Sequence, residues 1–194
     1  MSNKDELIQG SIEAALQHGI DVNGRRVFMH GGVDEGTIGM AIRGMYMLAG
    51  ISREPIELII SSYGGDLDEA FALHDVTRTL KVPITTLALG KCMSAAPILV
   101  ACGQRGERYA TENTLFMLHD AELDVPGDST SNIRESVRVT EEMMARYATL
   151  LSRYTKKRDK RFWLRIFARK HDTFFGAEQA LEWGIIDQIW SEKD

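Results

Sequence analysis

Short apolar runs alternate along the chain with segments whose apolar residues recur at helical spacing. The apolar runs predict strands at residues 26–29, 56–60, 84–89, 108–110, 115–118 and 185–189. The helical spacing predicts helices at residues 4–18, 34–48, 67–80, 95–102, 131–154 and 177–183. Because strands and helices alternate, the pattern predicts an α/β fold of parallel strands joined by right-handed βαβ units.

The composition is that of an ordinary globular protein. Of the 194 residues, 44% are hydrophobic and 26% are charged, and the length suits a single domain with a substantial core. The most apolar stretch, residues 84–103, is interrupted by Gly90, Lys91, Ser94 and Pro97. We therefore predict a strand and a short helix there, and no membrane span.

Cysteine usage and the first residues of the chain bear on the compartment. Cys92 and Cys102 are the only cysteines, too few for a disulfide framework and without the spacing of a zinc site. The first residues lack a basic region followed by an apolar one, so no signal peptide is expected. We therefore expect a cytoplasmic protein with neither a metal nor another cofactor.

Charge is unevenly distributed along the chain, whose formal net charge is −5. Residues 156–170 hold eight Lys and Arg against one Asp, with Phe162, Trp163 and Phe167 among them. A basic patch with interleaved aromatic residues is one pattern of nucleic-acid binding. The alternative is a helix with an apolar stripe and a solvated charged face. We favour the helix and expect no nucleic-acid partner, because the acidic remainder of the chain would repel a polyanion.

Ser94 lies where a predicted buried strand gives way to a short apolar helix, in the segment Gly90-Lys91-Cys92-Met93-Ser94-Ala95-Ala96-Pro97. Such a turn lifts a hydroxyl out of the backbone, and the free N–H groups of a helix start lie beside it. The segment therefore indicates a candidate nucleophile. Small residues around a serine at a strand–helix junction also serve close packing alone, and this segment does not decide between the two interpretations.

An activated serine needs a general base, an acid that orients the base, and N–H donors for the oxyanion. Of the five histidines, His119 ends the predicted strand 115–118, and sites in parallel α/β sheets gather at the carboxyl ends of strands. The position of His119 at the end of a strand is also typical of a surface histidine without a catalytic role. Gly64 and Gly65 end another strand, and their N–H groups or that of Ala95 could bind the oxyanion. The acid cannot be chosen by spacing among the 28 Asp and Glu residues.

Six segments, at residues 61–65, 90–96, 103–109, 116–119, 172–178 and 182–187, follow one another in a recognisable order and spacing. Together they resemble the ClpP family, the serine peptidases of self-compartmentalised proteolysis. The resemblance runs from about Arg26 to Trp190. It implies that Ser94 is the nucleophile, His119 the base and Asp172 the orienting acid. It also implies an oxyanion hole formed by the N–H groups of Gly65 and Ala95, and an extended substrate paired with the strand at Gly64 and Gly65.

The fold and the assembly of the family are implied as well. The fold is the ClpP/crotonase-like spiral of βαβ units with a projecting helix–strand handle. This assigns residues 25–194 to one peptidase domain, with the handle at about residues 120–160, after an N-terminal helical segment at residues 1–24. Family members form homo-oligomeric seven-membered rings, stacked in pairs, that hydrolyse peptides and unfolded proteins inside a chamber and dock AAA+ unfoldases of the ClpX or ClpA kind.

The chain departs from the family pattern at several positions, as a divergent member would. Tyr63 stands where proline is usual, Thr173 where arginine is usual, and residues 120–122 read Asp-Ala-Glu where Gln-Pro is common. Two alternatives to an active peptidase stay open. One is a non-catalytic structural ring subunit that partners an active paralogue. The other is a crotonase-type acyl-CoA enzyme on the same fold.

Overall fold

The computed structural model describes residues 10, 13, 17–123, 127 and 129–191, which from Ile20 onward form eight strands and six helices. The strands are β1 (Ile20–Asp21), β2 (Arg26–Val33), β3 (Ile56–Gly65), β4 (Ile84–Met93), β5 (Arg108–Thr111), β6 (Leu115–Leu118), β7 (Thr173–Gly176) and β8 (Gln188–Trp190). The helices are α1 (Glu35–Ile51), α2 (Leu67–Thr79), α3 (Pro97–Ala101), α4 (Thr130–Thr155), α5 (Lys160–Phe167) and α6 (Ala177–Trp183). Most of the helix predicted at residues 4–18 lies outside the described residues.

All eight strands belong to one sheet, whose main path runs β1-β2-β3-β4-β5-β8. Strands β2, β3, β4, β5 and β8 run parallel to one another, which confirms the predicted parallel α/β core. Two pairs, β1 with β2 and β6 with β7, are antiparallel. The sheet forks at β4, which pairs with β5 through residues 86–88 and with β6 through residues 91–93.

Three strands extend beyond their predicted ends. β2 continues to Val33, β3 to Gly65 and β4 to Met93, so the predicted strand ends at residues 29, 60 and 89 are wrong. The β2–β3 and β3–β4 registers shift near His30 and Ser62, so the glycines of these segments are accommodated by strand irregularities. The apolar pattern does not predict β1 or β7, and β8 begins three residues later than expected.

Two helix starts show how side-chain caps define the element boundaries. The Asp34 carboxylate accepts a hydrogen bond from Thr37 N at 2.8 Å, so the predicted cap of α1 is confirmed. The Asp159 carboxylate likewise accepts from Phe162 N at 2.8 Å at the start of α5. The middle of the basic segment, Lys160–Phe167, is therefore a helix, and its Trp163 and Phe167 side chains are buried in the core. The predicted helix with an apolar stripe is confirmed.

One cluster of buried apolar side chains joins the sheet to the helices. Helix α4 contributes to it only through its second half, where Tyr147 and Leu151 are buried. The first half instead exposes the apolar side chains of Ile133 and Val137. No helix in the described part of the chain is long and apolar enough to cross a membrane.

A buried ion pair ties β5 to the segment before β8. The Arg108 guanidinium is 3% exposed and donates to both Asp187 carboxylate oxygens, at 2.7 and 2.6 Å. It also donates to the carbonyl oxygens of Ala101 and Tyr154, at 3.2 and 3.3 Å. Burial by itself raises the pKa of Asp187, but the hydrogen bonds and charge of Arg108 and the N–H of Gly106 outweigh it, so the pKa is lowered.

We predict that Asp187→Asn lowers the free energy of unfolding at neutral pH by roughly 2 kcal/mol or more, because Arg108 stays buried without a counter-charge. Because the pKa of Asp187 is lowered in the folded protein, the ion pair stabilises the fold fully at pH values above the ordinary carboxyl pKa. This stabilisation is lost as the pH falls through the lowered pKa. Denaturant unfolding from pH 7 to about pH 3 should therefore show the two proteins converging. A difference in unfolding free energy between the two proteins that does not change with pH would contradict the prediction.

The control variant is Glu182→Gln, which removes the carboxylate paired with Arg158 at 2.6 Å on the surface. The Glu182 side chain is mostly exposed, so we expect a loss below about 1 kcal/mol.

Candidate active site

Ser94 follows β4 directly and begins the turn that leads into α3. Its φ angle is 56°, a left-handed conformation that is uncommon for a residue other than glycine. The turn is anchored by hydrogen bonds from Ser94 N to Met117 O at 2.8 Å and from Ala96 N to Met93 O at 2.9 Å. Because strained backbone of this kind concentrates at functional sites, the conformation singles out Ser94 within its segment.

His119 lies within hydrogen-bond distance of Ser94. The distance from Ser94 Oγ to His119 Nε2 is 2.7 Å, and both side chains are half-buried. The fork of the sheet causes this approach, because the last residues of β4 pair in parallel with β6. Both residues therefore follow the carboxyl ends of neighbouring parallel strands. The geometry is that of a hydroxyl beside a base.

Asp172 is brought near His119 by the antiparallel pair β6–β7. Leu118 pairs with Thr173, so the same register carried one residue further places His119 opposite Asp172. Residues directly opposite in such a pair have Cβ atoms about 5 Å apart. Within the described residues, however, no hydrogen bond or ion pair joins the Asp172 carboxylate to His119, and Asp172 is exposed. Catalytic hydrogen bonds are often long or poorly aligned without substrate and tighten when substrate binds.

The two glycines at the end of β3 differ in what they contact. Gly64 has φ 96°, and a Cβ atom there would overlap Ser94 Cβ and lie 2.6 Å from Met93 O. Gly65 has φ 146°, is exposed, and lines the cleft beside Ser94. One side of this segment is already paired with β2, through Gly32 and Val33. Glycine is therefore required at Gly64 because of its close approach to the Ser94 turn.

The backbone N–H of Ala95 is a candidate oxyanion donor. Ala95 is 1% exposed, and across the residues that the structure describes its N–H donates no hydrogen bond. Buried N–H groups without a partner are rare. Ala95 also lines the cleft into which Ser94 and His119 open. A negatively charged oxygen beside Ser94 would satisfy this donor.

The cleft around Ser94 has a volume of about 410 Å³. Helix α4 forms one wall, with Thr140, Met143, Met144 and Tyr147. Carboxylates lie along the remainder, and they are Asp66, Asp68, Asp120 and Glu122. In the described part of the chain no Lys or Arg lines this cleft.

The two cysteines do not compete with Ser94 as nucleophiles. Burial raises the pKa of the Cys102 thiol to about 11 and raises that of Cys92 further. Both side chains lie in the core, where neither thiolate forms at neutral pH. No cluster of His, Cys, Asp and Glu suited to a metal occurs among the described residues.

Two residues that support the site are not predicted from the sequence. Ser62 is fully buried, and its hydroxyl accepts a hydrogen bond from Gly64 N at 3.0 Å. The Tyr147 hydroxyl donates to Ser94 O at 2.8 Å. The position of Ser62, two residues before the glycine, is typical of a side chain that bonds its own turn and could have indicated its role. Tyr147 has the spacing of a core residue, and nothing in the sequence indicates its contact.

Comparison with known proteins places the chain among proteases. The family model described as Clp protease matches residues 17–193. The chain is 30% identical over 177 residues to "ATP-dependent Clp protease proteolytic subunit 1" of Protochlamydia amoebophila, covering 90% of this chain and 84% of the relative. It is 28% identical over 173 residues to "ATP-dependent Clp protease proteolytic subunit 2" of Pseudomonas aeruginosa, covering 85% of this chain and 80% of the relative.

We predict that Gly64→Ala slows the reaction of Ser94 with a fluorophosphonate probe by at least about tenfold, because the added methyl group must displace the Ser94 turn. The matched control is Gly106→Ala. Gly106 has φ 91°, but a Cβ atom there meets nothing within 4 Å, so this variant adds the same backbone strain without the contact. Equal labelling rates for both variants would show that the close approach is unimportant.

Proposed function

The chain belongs to the Clp protease family, and we propose that it is a serine endopeptidase whose reaction is carried by Ser94, His119 and Asp172. The observation that supports this most directly is the 2.7 Å distance between Ser94 Oγ and His119 Nε2. The proposed oxyanion donors are the N–H groups of Gly65 and Ala95. No cofactor takes part in the proposed reaction.

The proposed reaction begins when Ser94 Oγ attacks the carbonyl carbon of a peptide while His119 Nε2 takes the hydroxyl proton. Negative charge forms on the carbonyl oxygen, and the Gly65 and Ala95 N–H groups bind it. His119 then donates its proton to the leaving amine, which breaks the peptide bond and leaves an acyl group on Ser94. Water attacks this ester while His119 takes a proton from it. The bond between the acyl carbon and Ser94 Oγ then breaks, His119 passes the proton to Ser94 Oγ, and the carboxylic acid product leaves.

Asp172 has the role of holding His119 with Nε2 toward Ser94. A carboxylate beside Nδ1 keeps the Nδ1 proton in place and stabilises the imidazolium that forms during the reaction. The register of β6 and β7 supports this assignment, because it sets the two residues opposite each other.

Extended substrate is proposed to pair with β3 at Gly64 and Gly65. Because β2 already occupies one side of this segment, the peptide would lie along the other side, next to the Ser94 turn. The substrates would be peptides and unfolded proteins, whose backbone is free to pair in this way.

Self-assembly is proposed to enclose the site. The first half of α4 exposes Ile133 and Val137 one helical turn apart, and Val139 on another face, apolar side chains that a second copy could cover. The helix would then act as the handle that joins two seven-membered rings, and an AAA+ unfoldase would deliver unfolded chains to the chamber. Two relatives are named as subunits of an ATP-dependent Clp protease. Their names support the proposal of self-assembly and the proposal of an ATP-driven unfoldase partner.

We predict that His119→Ala and Asp172→Asn each lower kcat/KM for a fluorogenic peptide by roughly a hundredfold or more, the scale typical of such residues. The control for His119 is His30→Ala, which replaces an exposed histidine of β2 outside the cleft. The control for Asp172 is Asp75→Asn, because Asp75 pairs with a histidine, His74, at 2.8 Å outside the cleft. Full activity of Asp172→Asn would show that another acid orients His119.

A fluorophosphonate probe distinguishes the peptidase from its alternatives. We expect the probe to label the wild type at Ser94, and labelling to be lost in His119→Ala, because the hydroxyl then lacks its base. A folded assembly of ring size that never reacts would favour the structural subunit. Hydrolysis of an acyl-CoA thioester without hydrolysis of any peptide would favour the crotonase-type enzyme.

A further inference from the structure

Tyr147 of α4 contacts the backbone of the Ser94 turn. Its hydroxyl donates to Ser94 O at 2.8 Å, and its side chain is 2% exposed. The ring packs against Phe167 of α5, with centroids 5.1 Å apart. The proposed hydrolysis uses neither the phenol nor its ring, so the reason for a polar atom at this buried position lies elsewhere.

The carbonyl that accepts this hydrogen bond belongs to the same peptide unit as the Ala95 N–H. No peptide bond in the described residues is cis, and in a trans peptide the C=O and N–H groups point in opposite directions. The Ser94 carbonyl therefore points at Tyr147 while the Ala95 N–H points away from it. Ala95 lines the cleft, and its N–H donates no hydrogen bond among the described residues.

The peptide unit needs external support because Ser94 holds a left-handed φ of 56°. Such a conformation costs roughly 1–3 kcal/mol and persists only where neighbours fix it. Ser94 N is bound to Met117 O, which anchors the amino side of the residue. The Tyr147 hydroxyl anchors its carboxyl side. Without the second bond, the Ser94–Ala95 peptide could rotate and turn the Ala95 N–H out of the cleft.

We propose that Tyr147 is a positioning residue that directs the Ala95 N–H toward the oxyanion. It does so by donating a hydrogen bond to the Ser94 carbonyl, on the opposite side of the same peptide unit. This inference rests on the proposed function of Ser94 as a nucleophile. Donation to the carbonyl also polarises the peptide unit and strengthens its N–H as a donor. Burial, with a smaller contribution from Cys92, outweighs the opposing effect of the Ile98 backbone N–H and raises the pKa of Tyr147 well above its usual value. The phenol therefore keeps the proton that it donates.

The test is Tyr147→Phe, which keeps the ring against Phe167 and removes only the hydroxyl. Loss of an oxyanion donor itself costs about a hundredfold to a thousandfold in kcat. The Ala95 N–H stays present but is less well directed, so we expect kcat to fall about tenfold with KM changed less than about twofold. A peptide aldehyde, which forms a tetrahedral adduct on Ser94, should bind more weakly by the same factor as kcat/KM.

The control is Tyr154→Phe. Tyr154 lies on the same helix two turns later, and its hydroxyl bonds His74 Nε2 at 2.7 Å, outside the cleft. This variant removes a partly buried phenol hydroxyl from α4 without contact to the Ser94 turn. We expect its melting temperature to fall at least as much as that of Tyr147→Phe, while its kcat and aldehyde affinity stay at the wild-type values.

Each outcome separates this inference from the proposed function. Wild-type kcat and aldehyde affinity in Tyr147→Phe would overturn the role of Tyr147 and leave Ser94 catalysis standing. An equal loss of kcat in both tyrosine variants would also overturn it, because the loss would then come from a weakened helix. A wild type that neither hydrolyses peptides nor labels at Ser94 would overturn both proposals.

Discussion

The backbone of Gly64 lies so close to the Ser94 turn that a single methyl group at Gly64 would overlap the serine side chain. This close approach brings the end of β3 beside the end of β4. Ser62 stabilises it by accepting the Gly64 N–H, and the irregular register between the two strands makes room for it. The position of the hydroxyl, of the glycine backbone and of the cleft between them all depend on this contact.

The remaining members of the site follow from how the sheet divides. β4 pairs with β5 along its first half and with β6 along its last residues, so the strand that ends at Ser94 runs beside the strand that ends before His119. β7 then adds to β6 in the antiparallel direction and returns the chain to His119 at Asp172. Ser94 and His119 thus meet through strand pairing, and the register of β6 and β7 sets Asp172 opposite His119. The long helix α4 closes the cleft from the other side, where Tyr147 bonds the Ser94 carbonyl.

Much of the fold can be predicted from the sequence, because the central strands are buried on both faces and form apolar runs. The pattern does not predict β7, whose four residues alternate between buried and exposed positions over too short a length. It also ends β3 and β4 too early, since glycines usually mark turns, whereas here they lie within strands. Helix α5 is predicted correctly, because its aromatic residues recur at helical spacing.

The candidate site, like the fold, can be predicted from the sequence only in part. Ser94 and His119 follow apolar strands, so physical reasoning alone selects them as candidates. Asp172 is one of 28 acidic residues and becomes a candidate only through the family resemblance. Tyr147 cannot be found by either route. Its spacing predicts a core side chain, and the direction of a buried hydroxyl depends on tertiary contacts that no local pattern encodes.

The most direct test of the account is hydrolysis of short fluorogenic peptides by purified wild type and Ser94→Ala, with the mass of each assembly measured by light scattering. The account predicts rings of equal mass for both proteins and activity in the wild type alone. Hydrolysis that persists in Ser94→Ala at the wild-type rate would contradict it, because the nucleophile would then be another group.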